Sequence, residues 1–405
     1  MNRRLLTIIA IFLGGIVLII AGYLLWQSYS SSTFIISAPQ NANIFVKQDS
    51  ETFKEIGKTN ATYKSRSKST VFFEARLNDQ VSQKSYSPQG NSTTNVNLDF
   101  KPLVNAQPFA NGALTNLFIE NGFVYGINAN TNSLTASPIL PSTSVAPNVL
   151  LLPFLKQAIW KNSTNYYAVT LGRGTQVIEN NKILDGNLLP YSSIAVGKSN
   201  SVLLGKDGYY FAESNNLNKT KKLTDLKPQT EPQVFADNTY LYTISLVLNK
   251  TTNEDEVPTG KESNFIIYDQ NGTQKFNITL PIKDQIYKII ALDSNNVMAL
   301  TNNQLLFINL KEKSITPQDF SFGQVKDMVV YKNKILLLGS GGLWEYDNTS
   351  KQYSKVATYP TTQEYVPYSL TVLSDNLFFS ARATAEAIKN KTGPTVANNI
   401  YKVSF

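Results

Sequence analysis

One phrase recurs along the last three quarters of this chain. A polar Asn opens it, and a run of apolar and aromatic residues follows at once or after one residue. It reads Asn121-Gly-Phe-Val-Tyr125, Asn165-Tyr-Tyr-Ala-Val169, Asn200-Ser-Val-Leu-Leu204 and Asn238-Thr-Tyr-Leu-Tyr242. It continues as Asn296-Val-Met-Ala-Leu300, Asn333-Lys-Ile-Leu-Leu337 and Asn376-Leu-Phe-Phe379. The seven copies stand 44, 35, 38, 58, 37 and 43 residues apart. A turn-former followed by such a run predicts a strand entered from a tight turn. A second strand precedes each copy, at Asn116–Ile119, Ala158–Trp160, Ser193–Val196, Val234–Ala236, Ile289–Leu292, Met328–Tyr331 and Leu370–Leu373. A third follows, most clearly at Tyr209–Phe211, Phe265–Tyr268, Leu305–Ile308 and Leu343–Tyr346. A fourth is readable at Lys275–Thr279 and Tyr353–Ala357.

Short four-stranded units at a period of roughly 40–50 residues cannot bury a face alone and must stack on their neighbours. The pattern resembles a β-propeller over residues 101–405, with seven blades expected and six or eight open, because the outer strands of the first two units are poorly marked. No WD dipeptide, Kelch glycine pair or Asp-box assigns a subfamily. The last unit, with strands at Leu370–Leu373, Leu377–Ala381 and Ile400–Phe405, stops one strand short. Part of Leu98–Ala106 is therefore expected to supply its outer strand.

Composition removes whole classes of chemistry. There is no Cys and no His, so disulfides, zinc–thiolate sites, thiol nucleophiles and imidazole acid–base catalysis are excluded. No Gly-rich phosphate loop precedes a helix, and no metal or cofactor motif is found. Gly172-Arg-Gly174 and Gly339-Ser-Gly-Gly342 read as strand turns. Asp269-Gln-Asn-Gly272 resembles the start of a calcium loop but lacks the later acidic ligands. Setting Arg3 and Arg4 aside leaves 35 basic against 29 acidic residues, without the dense basic stripe that nucleic-acid binding needs.

The N-terminal hundred residues read differently. After a cytoplasmic tail of residues 1–4, Leu5–Trp26 carries no charge and is long enough to span about 30 Å of hydrocarbon as a helix. Arg3 and Arg4 ahead of it predict an N-in, C-out single span in the cell membrane. A cleaved signal peptide fits less well, since the run is longer than a signal core and no small-x-small site follows closely. Residues 27–33 form a polar linker. Residues 34–100 carry strands around Ile35–Ile36, Ile44–Val46, Thr70–Ala75 and Asn95–Phe100. Ser37, the turn Pro39-Gln40-Asn41-Ala42, Ile44, Val46 and Gly57 with Thr59 resemble the PEGA domain, a small β-sandwich of bacterial surface proteins. Gln40 and Asn41 depart from the naming motif. Asn tolerates the positive φ that a Gly would adopt, so the turn can persist. The resemblance implies an extracytoplasmic, non-catalytic module. Lys64, Arg66 and Lys68 are expected on one strand face, as an edge-blunting row or a contact for anionic polymer.

The expected function is a membrane-anchored extracytoplasmic binding or scaffold protein of the bacterial envelope, with envelope protein or cell-surface glycan as partner. Two alternatives stand beside it: a carboxylate-dependent surface glycan hydrolase, and an envelope assembly factor that engages client proteins. The expected site is the propeller face bearing the long connections Asn249–Ser263 and Thr384–Asn399. There Glu254, Asp255 and Glu256 would oppose Arg382, Lys389 and Lys391, with Tyr359, Tyr365 and Tyr368 between them.

Overall fold

The computed structural model describes residue 16 and residues 31–405, apart from 130, 153, 251–258, 340, 341, 359–364 and 384–397. Every regular element between residues 31 and 405 that it describes is a β-strand. No described helix is long and apolar enough to cross a membrane. The Leu5–Trp26 span lies outside the described residues, apart from Ile16. The chain forms two compact units: residues 1–102 with 347–355, and residues 103–346 with 356–405.

The second unit is built from seven antiparallel sheets among the described residues, taken in chain order. Their inner strands are Leu114–Glu120, Leu155–Trp160, Tyr191–Val196, Thr230–Ala236, Lys288–Ala291, Asp327–Tyr331 and Tyr365–Leu373. Each inner strand lies against the next, and the seventh lies against the first, which makes the unit a propeller-like ring. The second strands are Phe123–Asn128, Tyr166–Thr170, Asn200–Gly205, Tyr240–Leu248, Asn296–Leu300, Lys334–Gly339 and Asn376–Ala383. They coincide with the seven copies of the recurring phrase. Most are almost wholly buried, because both faces of a second strand pack on neighbouring sheets.

The polar residue of the phrase is explained by the turn before it. In the first, sixth and seventh sheets the inner and second strands meet in two-residue turns: Asn121-Gly122, Lys332-Asn333 and Ser374-Asp375. All six residues have positive φ, which Asn, Asp and Gly adopt most readily. In the second, fourth and fifth sheets the turn is longer, and a side chain organises it. Asn162 Oδ1 accepts from Thr164 N at 3.0 Å and Asn165 N at 2.7 Å. Asp237 Oδ1 accepts from Thr239 N and Tyr240 N. Asp293 Oδ1 accepts from Asn295 N and Asn296 N. These Asx turns replace backbone partners at the reversal.

The expected closure is present, with its strand shifted downstream. Asn105–Asn111 pairs antiparallel with Asn398–Ser404 as the outer strand of the seventh sheet, from Asn105↔Ser404 to Asn111↔Asn399. Pro108 lies in this outermost strand beside a bulge, the kind of position to which proline is confined in sheets. The first sheet keeps three strands, Leu114–Glu120, Phe123–Asn128 and Ser133–Pro138. Ile139 makes one bridge to Ala110, and the following chain packs Val149, Leu150 and Leu152 onto the second sheet.

The first unit pairs Ser32–Ser37 with Asn60–Ser65 and Thr93–Asn97, and Asn43–Lys47 with Lys54–Lys58 and Val71–Leu77. Its core gathers Phe34, Ile36, Ile44, Val71, Phe73 and Val96. The rings of Phe34 and Phe73 lie 5.0 Å apart. At the turn Pro39-Gln40-Asn41-Ala42, Asn41 has φ 66°. Thr59, at φ 59°, latches the turn: its Oγ1 accepts from Asn41 N at 3.2 Å, and its N–H donates to Ala42 O. The strand ends at Ser65, so only Lys64 of the basic trio lies in it, although Lys64, Arg66 and Lys68 are all exposed. Tyr353 and Ser354, in the part of the chain that belongs to this unit, pair with Gln83 and Ser82. The Gln352 side chain there accepts from Asp99 N and donates to Asp99 O.

Candidate functional site

The inner strands of a ring expose their edges to the next sheet, and side chains fill the gap. Asn116 Oδ1 accepts from Ala158 N, and Gln157 donates to Ile194 O while accepting from Ile194 N. Gln233 Nε2 donates to Ile286 O, and Asp327 Oδ2 accepts from Leu370 N. Each bond reaches from one sheet to its neighbour, so these polar side chains support the ring. A cavity of about 390 Å³ opens among the inner strands of the first five sheets, with Lys156, Tyr287 and Lys288 in its wall. Lys288 Nζ stands 3.4 Å from Asp327 Oδ1.

A more selective arrangement lies at the end of the second and third sheets where their first-to-second and third-to-fourth strand turns emerge. Two cavities of about 330 and 390 Å³ adjoin there and share Lys161, Tyr167, Val177 and Glu179 in their walls. Together they form a crevice rich in amides. The side-chain oxygens of Asn162, Asn165 and Asn216 are used locally: Asn165 Oδ1 accepts from Asn180 N, and Asn216 Oδ1 from Asn218 N. Their side-chain nitrogens have no protein partner among the described residues, nor have the carboxylates of Glu179 and Glu213.

Tyr166 borders the first of these cavities, but its side chain, 1% exposed, packs into the core between the first and second sheets, with its hydroxyl unpartnered among the described residues. Burial pushes the Tyr166 phenol up to about 12. Its ring packs on Trp160 at 4.9 Å. Lys161 Nζ sits 4.8 Å from the Tyr167 ring centroid, and the Tyr167 hydroxyl accepts from Leu217 N. This ring face is therefore covered. What the crevice offers is fixed donors beside acceptors, the complement of a ligand with many hydroxyl or amide groups.

Of the residues expected from sequence, Glu254, Asp255, Glu256, Tyr359, Lys389 and Lys391 lie outside the described residues. The connections that carry five of them do join second to third strands, in the fourth and seventh sheets. Tyr365 and Arg382 lie in paired strands of the seventh sheet, where Tyr365 faces Ala383 and Val366 faces Arg382 in register. Tyr368 is half-buried at a bulge of the same pair. The crevice of the second and third sheets was not expected. Its one sequence signal is the doubling of Asn at Asn180-Asn181 and Asn215-Asn216, which reads equally well as ordinary turn chemistry.

No protein-family profile matches the chain, and no curated protein sequence is similar to it. Solved structures are similar to it only distantly. The extracellular domain of BT4673 from B. thetaiotaomicron is similar over 75% of this chain, at 10% identity and a TM-score of 0.47, and this chain spans 40% of that one. The N-terminal domain of Nup159 is similar over 75% of this chain and 98% of its own, at 12% identity and a TM-score of 0.43. BBS1N, solved in complex with ARL6DN, is similar over 74% of this chain and 92% of its own, at 12% identity and a TM-score of 0.44.

Proposed function

We propose that this chain is a single-span, extracytoplasmic binding protein of the bacterial envelope, and that the crevice between its second and third sheets holds a glycan. One observation carries the reading. Side-chain amide nitrogens of Asn162, Asn165 and Asn216 and the carboxylates of Glu179 and Glu213, none with a protein partner among the described residues, line two adjoining cavities. Unpartnered donors and acceptors that converge on one crevice are what a polar ligand would satisfy. The membrane anchor is Leu5–Trp26 behind Arg3 and Arg4. The first unit serves as a PEGA-like spacer, a reading supported by the positive φ at Asn41 and the latch from Thr59. The second unit serves as a seven-bladed propeller.

The test is calorimetric titration of the detergent-solubilised full chain with neutral and N-acetylated tetrasaccharides. Binding should weaken at least tenfold in the Lys161→Ala, Asn215→Ala double variant, with the circular dichroism unchanged. A wild-type chain that takes up no sugar, yet captures an envelope protein, would favour a client-binding role instead. A second reading has a specific basis, because Glu179 and Glu213 line the same cavity and a glycosidase needs two carboxylates about 5–9.5 Å apart. Release of reducing ends that Glu179→Gln abolishes would establish hydrolysis. Protease added to intact spheroplasts should degrade everything after about Ser28, and protection of the body would refute the topology.

A further inference from the structure

The second sheet carries the crevice at one end and an apolar cap at the other. Leu151, Phe154, Leu171 and Leu188 are 80, 61, 70 and 60% exposed. They come from three separate segments that meet. Leu171 N donates to Phe154 O at 2.9 Å, Leu155 pairs with Thr170, and Leu188 and Leu189 pair with Gln176 and Thr175 beside the same turn. The neighbouring Leu152 is buried, so Leu151 is turned outward from a segment that is otherwise anchored. Phe154 sits at φ 59°, a conformation bulky residues rarely adopt, and its ring still faces solvent. The turn tip is Leu171-Gly172-Arg173-Gly174. A Cβ at Gly174 would stand 2.5 Å from Leu189 O, so the tip is held against the outer strand.

Charge selects the occupant. Arg173 at the tip and Lys156 beside Phe154 are exposed and make no ion pair among the described residues. The segments that form this end, 151–157, 170–175 and 188–191, contain no Asp or Glu. Apolar and aromatic side chains on protruding turns, with Arg173 at the tip and Lys156 at their edge, match the boundary between phosphate headgroups and acyl chains.

We propose that this end of the second sheet docks on an anionic phospholipid surface, inserting Phe154, Leu151 and Leu171 while Arg173 and Lys156 meet the phosphates. Docking in this sense turns the crevice end of the same sheet away from the bilayer. The inference rests on the anchored reading given above.

The chain has no Cys, so a single introduced thiol can be labelled uniquely. A polarity-sensitive fluorophore is attached to the full-length Phe154→Cys chain, reconstituted in phosphatidylcholine vesicles with and without phosphatidylglycerol. Lys182→Cys, at the opposite end of the sheet, is the control, and Leu171→Cys replaces Phe154→Cys should that variant not fold. Emission at position 154 should shift to the blue and be quenched severalfold more than at 182 by lipid carrying a nitroxide on its acyl chain. Arg173→Glu with Lys156→Glu should remove the difference. Equal quenching at both positions overturns the inference. So does a blue shift that lipid nitroxide leaves unquenched and that grows with the protein-to-lipid ratio, since it reports self-association. Carbonate extraction separates the two readings. If the chain leaves the vesicles, the anchor fails, and docking is then judged by sedimentation of the chain with anionic vesicles. Sedimentation unaffected by Phe154→Ser with Arg173→Glu overturns the inference in that case too.

Discussion

Two residues concentrate the polar energetics of the ring. Asp237 receives four donors: Thr239 N at 2.7 Å, Tyr240 N at 2.8 Å, the Tyr242 hydroxyl at 2.7 Å and Ala291 N at 2.6 Å. The last reaches from the fourth sheet to the inner strand of the fifth. Hydrogen bonds to a charged group are each worth about 1.5–3 kcal/mol, and Tyr242 is fully buried, so losing the acceptor strands its hydroxyl. Asp237→Ala should cost about 3–4 kcal/mol in urea unfolding and Asp237→Asn clearly less, because one oxygen still serves the turn. Tyr166 behaves in the opposite way. Its hydroxyl has no partner among the described residues, so Tyr166→Phe should leave stability unchanged or raise it by about 1 kcal/mol at neutral pH. The phenol is raised from its ordinary value to about 12 by burial, so the folded state holds a proton that the unfolded chain releases above about pH 10. This contribution is fully present below pH 10 and is lost as pH rises through the folded value, by at most about 2–3 kcal/mol. Burial raises Tyr209, Tyr242 and Tyr268 as well, so the test is the difference between wild type and Tyr166→Phe in urea midpoint from pH 8 to 11.

At the scale of elements, the closing strand is the most exposed dependency of the ring. Ile400 is fully buried among Ala110, Leu114, Leu117, Val124 and Phe378, where the seventh sheet meets the first. Ile400→Ala should cost about 2–4 kcal/mol by unfolding in denaturant and speed amide exchange along 399–404. A change confined to a few tenths would mean that the pairing of Asn105–Asn111 does not hold the ring shut. This closure was legible in the sequence because a strand-like stretch stood before the first unit and a strand was missing from the last. Six of the seven second strands were legible for a stronger reason: their reversals use either positive φ or an Asx turn, and both recruit Asn and Asp close to a fixed place. Other elements left fainter marks. Lys182–Leu189, Asn216–Asp225 and Ser314–Asp319 are outer strands, half in solvent, so polar residues break their alternation. Gln352 looks like any residue of an outer strand until its amide is found bonded to Asp99. The crevice was illegible because an Asn whose oxygen holds a turn reads the same whether its nitrogen is free or bound.

Across the ring as a whole, hydrophobic cores lie between sheets, not within them. Tyr242, Phe265 and Ile278 of the fourth sheet pack with Ile289, Val297 and Leu306 of the fifth. Leu336 and Leu343 of the sixth pack with Leu370, Leu377 and Phe379 of the seventh. Similar clusters join the first sheet to the second, the second to the third, the third to the fourth and the seventh to the first. Phe307 and Tyr346, with ring centroids 5.5 Å apart, bridge the fifth and sixth. A linear stack of such units could fray from its ends, because each unit is held only by its neighbours. A closed ring has no free end, so losing one sheet uncovers both flanking cores. The ring should therefore unfold as one cooperative unit. The tryptophans provide the test, since Trp160 lies in the second sheet and Trp344 in the sixth. With Trp26 and one of these two replaced by Phe, each remaining indole reports a different sector of the ring. Cooperative unfolding requires the two single-tryptophan chains, each corrected for the cost of its own substitution by circular dichroism, to show fluorescence midpoints in urea that match the midpoint of overall strand loss. If the Trp160 sector melts ahead of the Trp344 sector in chains of equal overall stability, the ring is not mechanically closed, and the pairing of Asn105–Asn111 with Asn398–Ser404 does not carry load between the first sheet and the last.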